Sequence, residues 1–164
     1  MPKLDRAVVN YLLQQPSVVS TVGADSEGPW IFSGRPDATI ENTGEAMIVV
    51  NVDNGWGANT HNTARFPVIT IDIWADPTRN PDLSVRTKDA DLKAEAVYLA
   101  VDPFLHLVNA NIGGEFIFFG TPEQIANKTG VRIISSSRND EPSYRPALND
   151  EGAVLATVTY NASI

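Results

Sequence analysis

One apolar stripe sets the terms for the rest of the chain. Ala90, Ala94, Val97, Val101, Phe104 and Val108 recur at spacings of 4, 3, 4, 3 and 4, the period at which a helix gathers side chains onto one face. Such a helix needs a surface to cover, and the flanking sequence offers strands for it. Asp76-Pro77-Thr78-Arg79-Asn80-Pro81 ahead of the stripe is turn chemistry. Pro103 interrupts it. Because Asp102 is a good N-cap and proline is tolerated at the first helical position, the pattern predicts a helix that breaks and restarts there. Gly113 and Gly114 close the region.

Before the stripe, Leu4, Val8, Tyr11 and Leu12 predict a short amphipathic helix that Pro16 stops, ahead of an apolar segment, Val18 to Val22. Residues 25–44 are rich in turn formers and read mostly as loop, with Trp30-Ile31-Phe32 resembling a weak strand. Met47 to Val52 is a β-branched run, and Phe66 to Ala75 alternates with Ile69, Ile71 and Ile73 on one face, so both read as strands. The loop between them carries Trp56 and is too long for a tight hairpin. After the stripe come an aromatic strand, Glu115 to Phe119, one or two helical turns opened by Thr121-Pro122-Glu123 and running through Ala126, and strands Val131 to Ser136 and Val154 to Tyr160. In the last, Val154, Ala156, Val158 and Tyr160 share a face. The polar stretch Arg138 to Gly152 is expected to project as a long loop. The fold class is therefore α+β: a single domain over 1–164, with one mainly antiparallel sheet of four to six strands packed by one long helix and a short N-terminal helix.

Composition narrows the function classes. At 164 residues, 43% hydrophobic and 20% charged, the chain matches an ordinary globular domain and excludes a wholly disordered or fibrous one. It has no cysteine, which removes disulfides, thiolate metal sites and cysteine nucleophiles together. Twelve basic against twenty acidic residues leave a formal charge of −8, so sequence-independent attraction to nucleic acid has no evident source. The acidity is spread along the chain without a charged tail. The opening Met1-Pro2-Lys3-Leu4-Asp5-Arg6 lacks the form of a signal peptide, and no apolar run approaches membrane-spanning length. A soluble protein made in the cytoplasm is expected.

Chemistry-bearing motifs are sparse. His61 and His106 stand 45 positions apart, and neither is followed by a histidine or carboxylate at the i+3 or i+4 position. Asp53-Asn54-Gly55 lacks the remaining ligands of a calcium loop. Asp89, Asp91 and Glu95 read as a solvated face that favours the helix dipole. Asn127-Lys128-Thr129-Gly130 approaches a phosphate loop without its spacing, and Ser135-Ser136-Ser137 lacks the surroundings of a nucleophile. No catalytic residue, cofactor site or metal site is assigned. The aromatics say more: Glu115-Phe116-Ile117-Phe118-Phe119 places large apolar groups on both faces of a short strand, so either both faces are covered or one is kept for a partner. Trp30 and Trp56, in glycine-rich contexts, add to the case for self-association.

Taken in order, the segments resemble the tail terminator proteins of long-tailed, siphovirus-type bacteriophages, particularly those of actinobacterial phages. Ala7-Val8-Val9-Asn10-Tyr11-Leu12-Leu13 with Pro16 to Gly23 is similar to that family's first helix and its turn into the sheet. Phe32-Ser33-Gly34-Arg35-Pro36 resembles the stretch that follows, Ile71-Asp72-Ile73-Trp74-Ala75-Asp76 the strand before the long helix, and Leu105-His106-Leu107 the end of that helix. Residues 130–138 and 156–160 resemble the closing hairpin. The resemblance covers nearly the whole chain and rests on joint order.

The resemblance implies a virion protein without catalytic residues, assembled in the host cytoplasm into a ring, usually of six subunits, in the neck region of the tail. Such a ring caps the tail tube, stops its elongation and joins the head, so the implied partners are further copies of the chain, the tail tube protein and a head-completion or connector protein. Phage DNA would pass through the lumen without specific binding, and an acidic wall suits that passage. Ring closure needs unlike patches on each subunit; the candidates are Trp56, Phe116, Phe118, Arg138, Tyr144 and Arg145. Two alternatives stand beside this reading: another neck or tail ring protein, such as a tail tube subunit or head-completion protein, and a small-molecule-binding domain or enzyme subunit built around Asp53, Trp56, Asp72 and Trp74.

Overall fold

The computed structural model describes residues 3–53, 66–82, 84–86, 88–108, 111–112, 114–147 and 152–164. Its elements run α1 (Leu4–Leu13), α2 (Pro16–Val19), β1 (Ala24–Asp25), β2 (Gly28–Pro29), β3 (Ile31–Ser33), β4 (Ala46–Asp53), β5 (Val68–Ala75), α3 (Asp89–Leu105), β6 (Asn111–Ile112), β7 (Glu115–Phe119), α4 (Pro122–Ala126), β8 (Val131–Ile133), β9 (Ser135–Arg138), β10 (Ser143–Pro146) and β11 (Val154–Ser163). The α+β class holds, with one long helix and a short N-terminal one.

The main sheet has six strands in the order β10-β11-β5-β4-β3, with β9 also on β11. All its pairings are antiparallel except β3 with β4. On one face the alternation of β5 buries Ile69, Ile71, Ile73 and Ala75 beside Ile48 and Val50 of β4 and Ala156, Val158, Tyr160 and Ala162 of β11. Helices α1 and α3 cover that face through Leu4, Ala7, Val8 and Leu12, and through Ala90, Ala94, Val97, Val101 and Leu105. Each such side chain removed from water contributes about 1.5–3 kcal/mol if it is Val, Leu or Ile. On the other face Trp30, Ile40, Met47, Ala147 and Ala153 form a second, smaller cluster.

Several sequence expectations change here. Pro103 does not break the helix: α3 runs unbroken through Leu105, with the proline in its last turn, so few hydrogen bonds remain for it to interrupt. Leu105 takes the buried place expected of Val108, which lies past the helix end and is 69% exposed. Val131 to Ser136 is not one strand. Ile134 divides it, leaving β8 in a three-stranded sheet with β6 and β7 while β9 joins the main sheet.

The stretch 138–152 is not one projecting loop either. β9 pairs with β11 from Ser135↔Ser163 to Arg138↔Tyr160, and β10 resumes on the same strand from Ser143↔Thr157 to Pro146↔Val154. Four residues of the outer strand, 139–142, therefore run against two of β11, 158 and 159, and form a bulge in one interrupted edge strand. Polar composition concealed this because edge strands are themselves polar.

Candidate interaction surfaces

The bulge is held against the end of α3. Arg138 Nη1 donates to Asp102 at 2.7 Å, its Nη2 reaches Glu141 at 3.4 Å, and its backbone N–H donates to His106 Nδ1 at 2.9 Å. The Arg138 guanidinium also lies 5.8 Å from the centre of the Tyr98 ring. Tyr160 Oη donates to the other oxygen of Asp102 at 2.8 Å. The sequence placed Asp102 as an N-cap and Arg138 at an interface. Asp102 instead joins helix to sheet, and Arg138 is engaged within the subunit. Burial first, and then Asp102, push the Tyr160 phenol well above its ordinary value.

Between α3 and the edge strand lies a groove of about 600 Å³. Its acidic groups are Asp91, Glu95 and Glu141, and its apolar surface comes from Tyr98, Leu99, Pro142 and Tyr144. Leu99 is 59% exposed and Tyr144 41%. These are large values for apolar side chains beside an open concavity. Desolvation raises the Tyr144 phenol, and Glu95, Tyr98, Glu141 and Asp91 raise it further, so the three carboxylates act on one ring. Helical spacing puts Asp91, Glu95 and Tyr98 on one stripe of α3. Arg145, next to Tyr144 on β10, is exposed and by strand alternation points to the opposite side.

A second surface forms on the three-stranded sheet. In β7 the residues alternate, and Phe119 is fully buried, with the Tyr11 ring stacked on it at 4.2 Å. Phe116 and Phe118 point the other way; Phe116 is 42% exposed and Phe118 half-buried. Phe118 pairs directly with Arg132 of β8, whose guanidinium sits 4.8 Å over the Phe116 ring. Exposed Ile134 follows β8. Among the described residues no carboxylate forms an ion pair with Arg132.

The remaining sequence candidates fall elsewhere. Trp56, with His61, lies outside the described residues. Trp30, expected at an interface, is buried in the second cluster, with its indole N–H donating to Asp25 at 3.1 Å. Asp72 accepts from the Thr157 hydroxyl at 2.8 Å and from Asn51 at 3.4 Å, cross-strand bonds that occupy it within the sheet. Trp74 borders a smaller apolar recess of about 240 Å³ with Ile40 and Met47. Ser136 is fully buried on β9, away from any solvent-borne substrate. Gly130 ends a turn rather than a phosphate cradle: a Cβ there would collide with the Phe119 carbonyl oxygen. Asp89 is more than a solvated charge, since it accepts from the Thr78 N–H at 2.6 Å and pairs with Lys93 at 3.1 Å.

Sequence reasoning missed the groove. Asp91, Glu95 and Leu99 of α3 meet Tyr144 only because β10 runs beside that helix. A depression of about 380 Å³ between α1 and α4 carries Lys3 and Arg6 beside the Thr121–Gln124 capping box. Among the described residues no helix is long and apolar enough to cross a membrane, and no three metal-ligating side chains converge. The chain matches no protein-family model and no curated protein sequence.

Proposed function

We propose that this chain is a structural protein of a tailed bacteriophage that closes into a ring, a tail terminator that caps the tail tube, stops its growth and presents the surface that the head joins. The segment order described above motivates the identity. The observation that carries it is the presence of two unlike exposed surfaces on one small body: the acidic groove beside α3 and the aromatic face of β7 and β8. A two-fold dimer needs one self-complementary patch, whereas a ring needs two different ones that meet head to tail. The partners of this reading are further copies of the chain, the tail tube protein and a head-completion protein of the neck. The formal charge of −8 suits a channel through which DNA slides without adhering.

Electron microscopy and mass measurement of the purified protein, alone and mixed with tail tubes of its phage, test the reading. Rings of about six copies, seated on one end of tubes that no longer lengthen, are the expected result. A chain that stays solitary in the presence of tubes, or tubes that keep growing with the protein bound, overturns it.

A further inference from the structure

The two surfaces are complementary in both charge and apolar character. The groove holds three carboxylates, Asp91, Glu95 and Glu141, around the exposed Leu99 and Tyr144. Glu141 is partly engaged with Arg138, but Asp91 and Glu95 are exposed on α3, and neither forms an ion pair among the described residues. The other surface supplies a cation, Arg132, which forms no ion pair among the described residues and is fixed over Phe116, flanked by Phe118 and Ile134. A guanidinium stacked on an aromatic ring is a preorganised anchor, because little rotamer freedom is left to lose on docking. Aromatic residues and arginine are also the groups that most often concentrate binding energy at interfaces.

We propose that the groove between α3 and the bulged edge strand receives the Phe116–Phe118–Arg132 face of a second copy of this chain. The pairing rests on the ring reading above and names its contact. It is heterologous: each subunit offers its groove to one neighbour and its aromatic face to the other, so the contact propagates and closes by rotation. The Lys3 and Arg6 depression is the competing basic surface, but its lining of Lys3, Arg6, Asn10, Thr121 and Gln124 offers nothing to cover Leu99 and Tyr144.

Charge reversal tests the pairing without touching the core. Asp91, Glu95, Lys3, Arg6 and Arg132 are all exposed, so each variant is expected to fold, which circular dichroism checks before association is measured. In sedimentation at low salt, Arg132→Glu alone, or Asp91→Lys with Glu95→Lys, weakens self-association about tenfold or more, since like charges then face each other. Mixing the two variants restores assembly: the acidic face of one meets the basic groove of the other, while the remaining contact keeps its native charges. Lys3→Glu with Arg6→Glu leaves association unchanged. The pairing is overturned if the reversals assemble like the original chain, if the mixture fails to recover, if the Lys3 and Arg6 variant is the one that dissociates, or if the unaltered chain is monomeric up to about 1 mM. A ring that obeys the charge swap but never caps tubes removes the terminator reading and leaves the pairing standing; a capping ring indifferent to the swap does the opposite.

Discussion

Tyr160 and Asp102, 58 positions apart, are joined by a hydrogen bond of 2.8 Å that runs from β11, one strand in from the sheet edge, to the last turns of α3. The tyrosine is fully buried, and its hydroxyl reaches a carboxylate that also receives Arg138 from the edge strand. A single acidic side chain thus fastens helix, inner strand and outer strand. Tyr160→Phe is expected to cost about 1.5–3 kcal/mol in urea unfolding, the range for a hydrogen bond to a charged group. Asp102→Ala should cost more, because it also leaves Arg138 without its helix partner.

The same phenol makes a prediction at alkaline pH. Its folded-state value is raised above the ordinary 10.0, chiefly by burial. The neutral form is the one the fold accepts, so its contribution is intact below pH 10 and declines as the pH rises above it, where the unfolded chain releases the proton first. Unfolding free energy measured from pH 9 to about 11.5 should fall with a slope that Tyr160→Phe reduces.

Val97 and Val101 are both fully buried under α3. Replacing both with Asp sets two unpaired carboxyls into the cluster that holds Ile69, Ile71 and Ile73, at several kcal/mol each even after protonation, enough together to rival the roughly 5–15 kcal/mol that holds a typical domain together. Loss of the far-UV helical signal and insoluble expression are expected; a folded, soluble double variant would show that the stripe does not pack as described.

That stripe was legible in the sequence because helical period and burial coincide from Ala90 through Val101, and the alternation of β5 and β11 was legible for the same reason at period two. Thr121-Pro122-Glu123 likewise announced α4 locally, and the structure adds the reciprocal Thr121–Gln124 capping box. What escaped notice depends on contacts between distant segments. Nothing within Ser143-Tyr144-Arg145-Pro146 marks a strand: all four residues are exposed, and only hydrogen bonds to β11 define it. The groove inherits that difficulty, since α3 supplies one wall and this strand the other. Trp30 shows the converse, for its glycine-rich surroundings suggested exposure although the chain folds back over it. Gly23 stands so close to that indole ring that a Cβ would clash with it.

The edge strand changes what a deletion should do. If 138–152 were only a projecting loop, removing residues 140–149 would spare the fold. Since β10 covers the outer edge of β11 and Ala147 belongs to the second cluster, the deletion exposes the backbone of 154–157 and uncovers Trp30 and Met47. Reduced thermal stability and aggregation in size-exclusion chromatography are expected, rather than a well-behaved subunit defective only in assembly. Monomeric, fully stable deleted protein would show that the edge pairing contributes little.

At the other end of α3, Lys93 gathers the chain around its ammonium, donating to the Gly44 carbonyl at 2.5 Å, the Asp76 carbonyl at 3.0 Å and the Thr78 hydroxyl at 2.9 Å, with Asp89 at 3.1 Å. The Thr78 N–H donates to Asp89, and this bond, ahead of the Lys93 contribution, holds the Asp89 carboxyl at about 2 against an ordinary 3.8. A depressed carboxyl stabilises the fold above its unfolded value, and the benefit disappears as the pH falls from about 4 through 2. Partial exposure limits the effect to about 1 kcal/mol. Asp89→Asn should therefore lower stability at pH 7 by about that amount while flattening the acid limb between pH 4 and 2, as followed by urea midpoints. Parallel acid limbs for the two proteins would mean that Asp89 titrates as an ordinary surface carboxylate and that the turn at Thr78 holds without it.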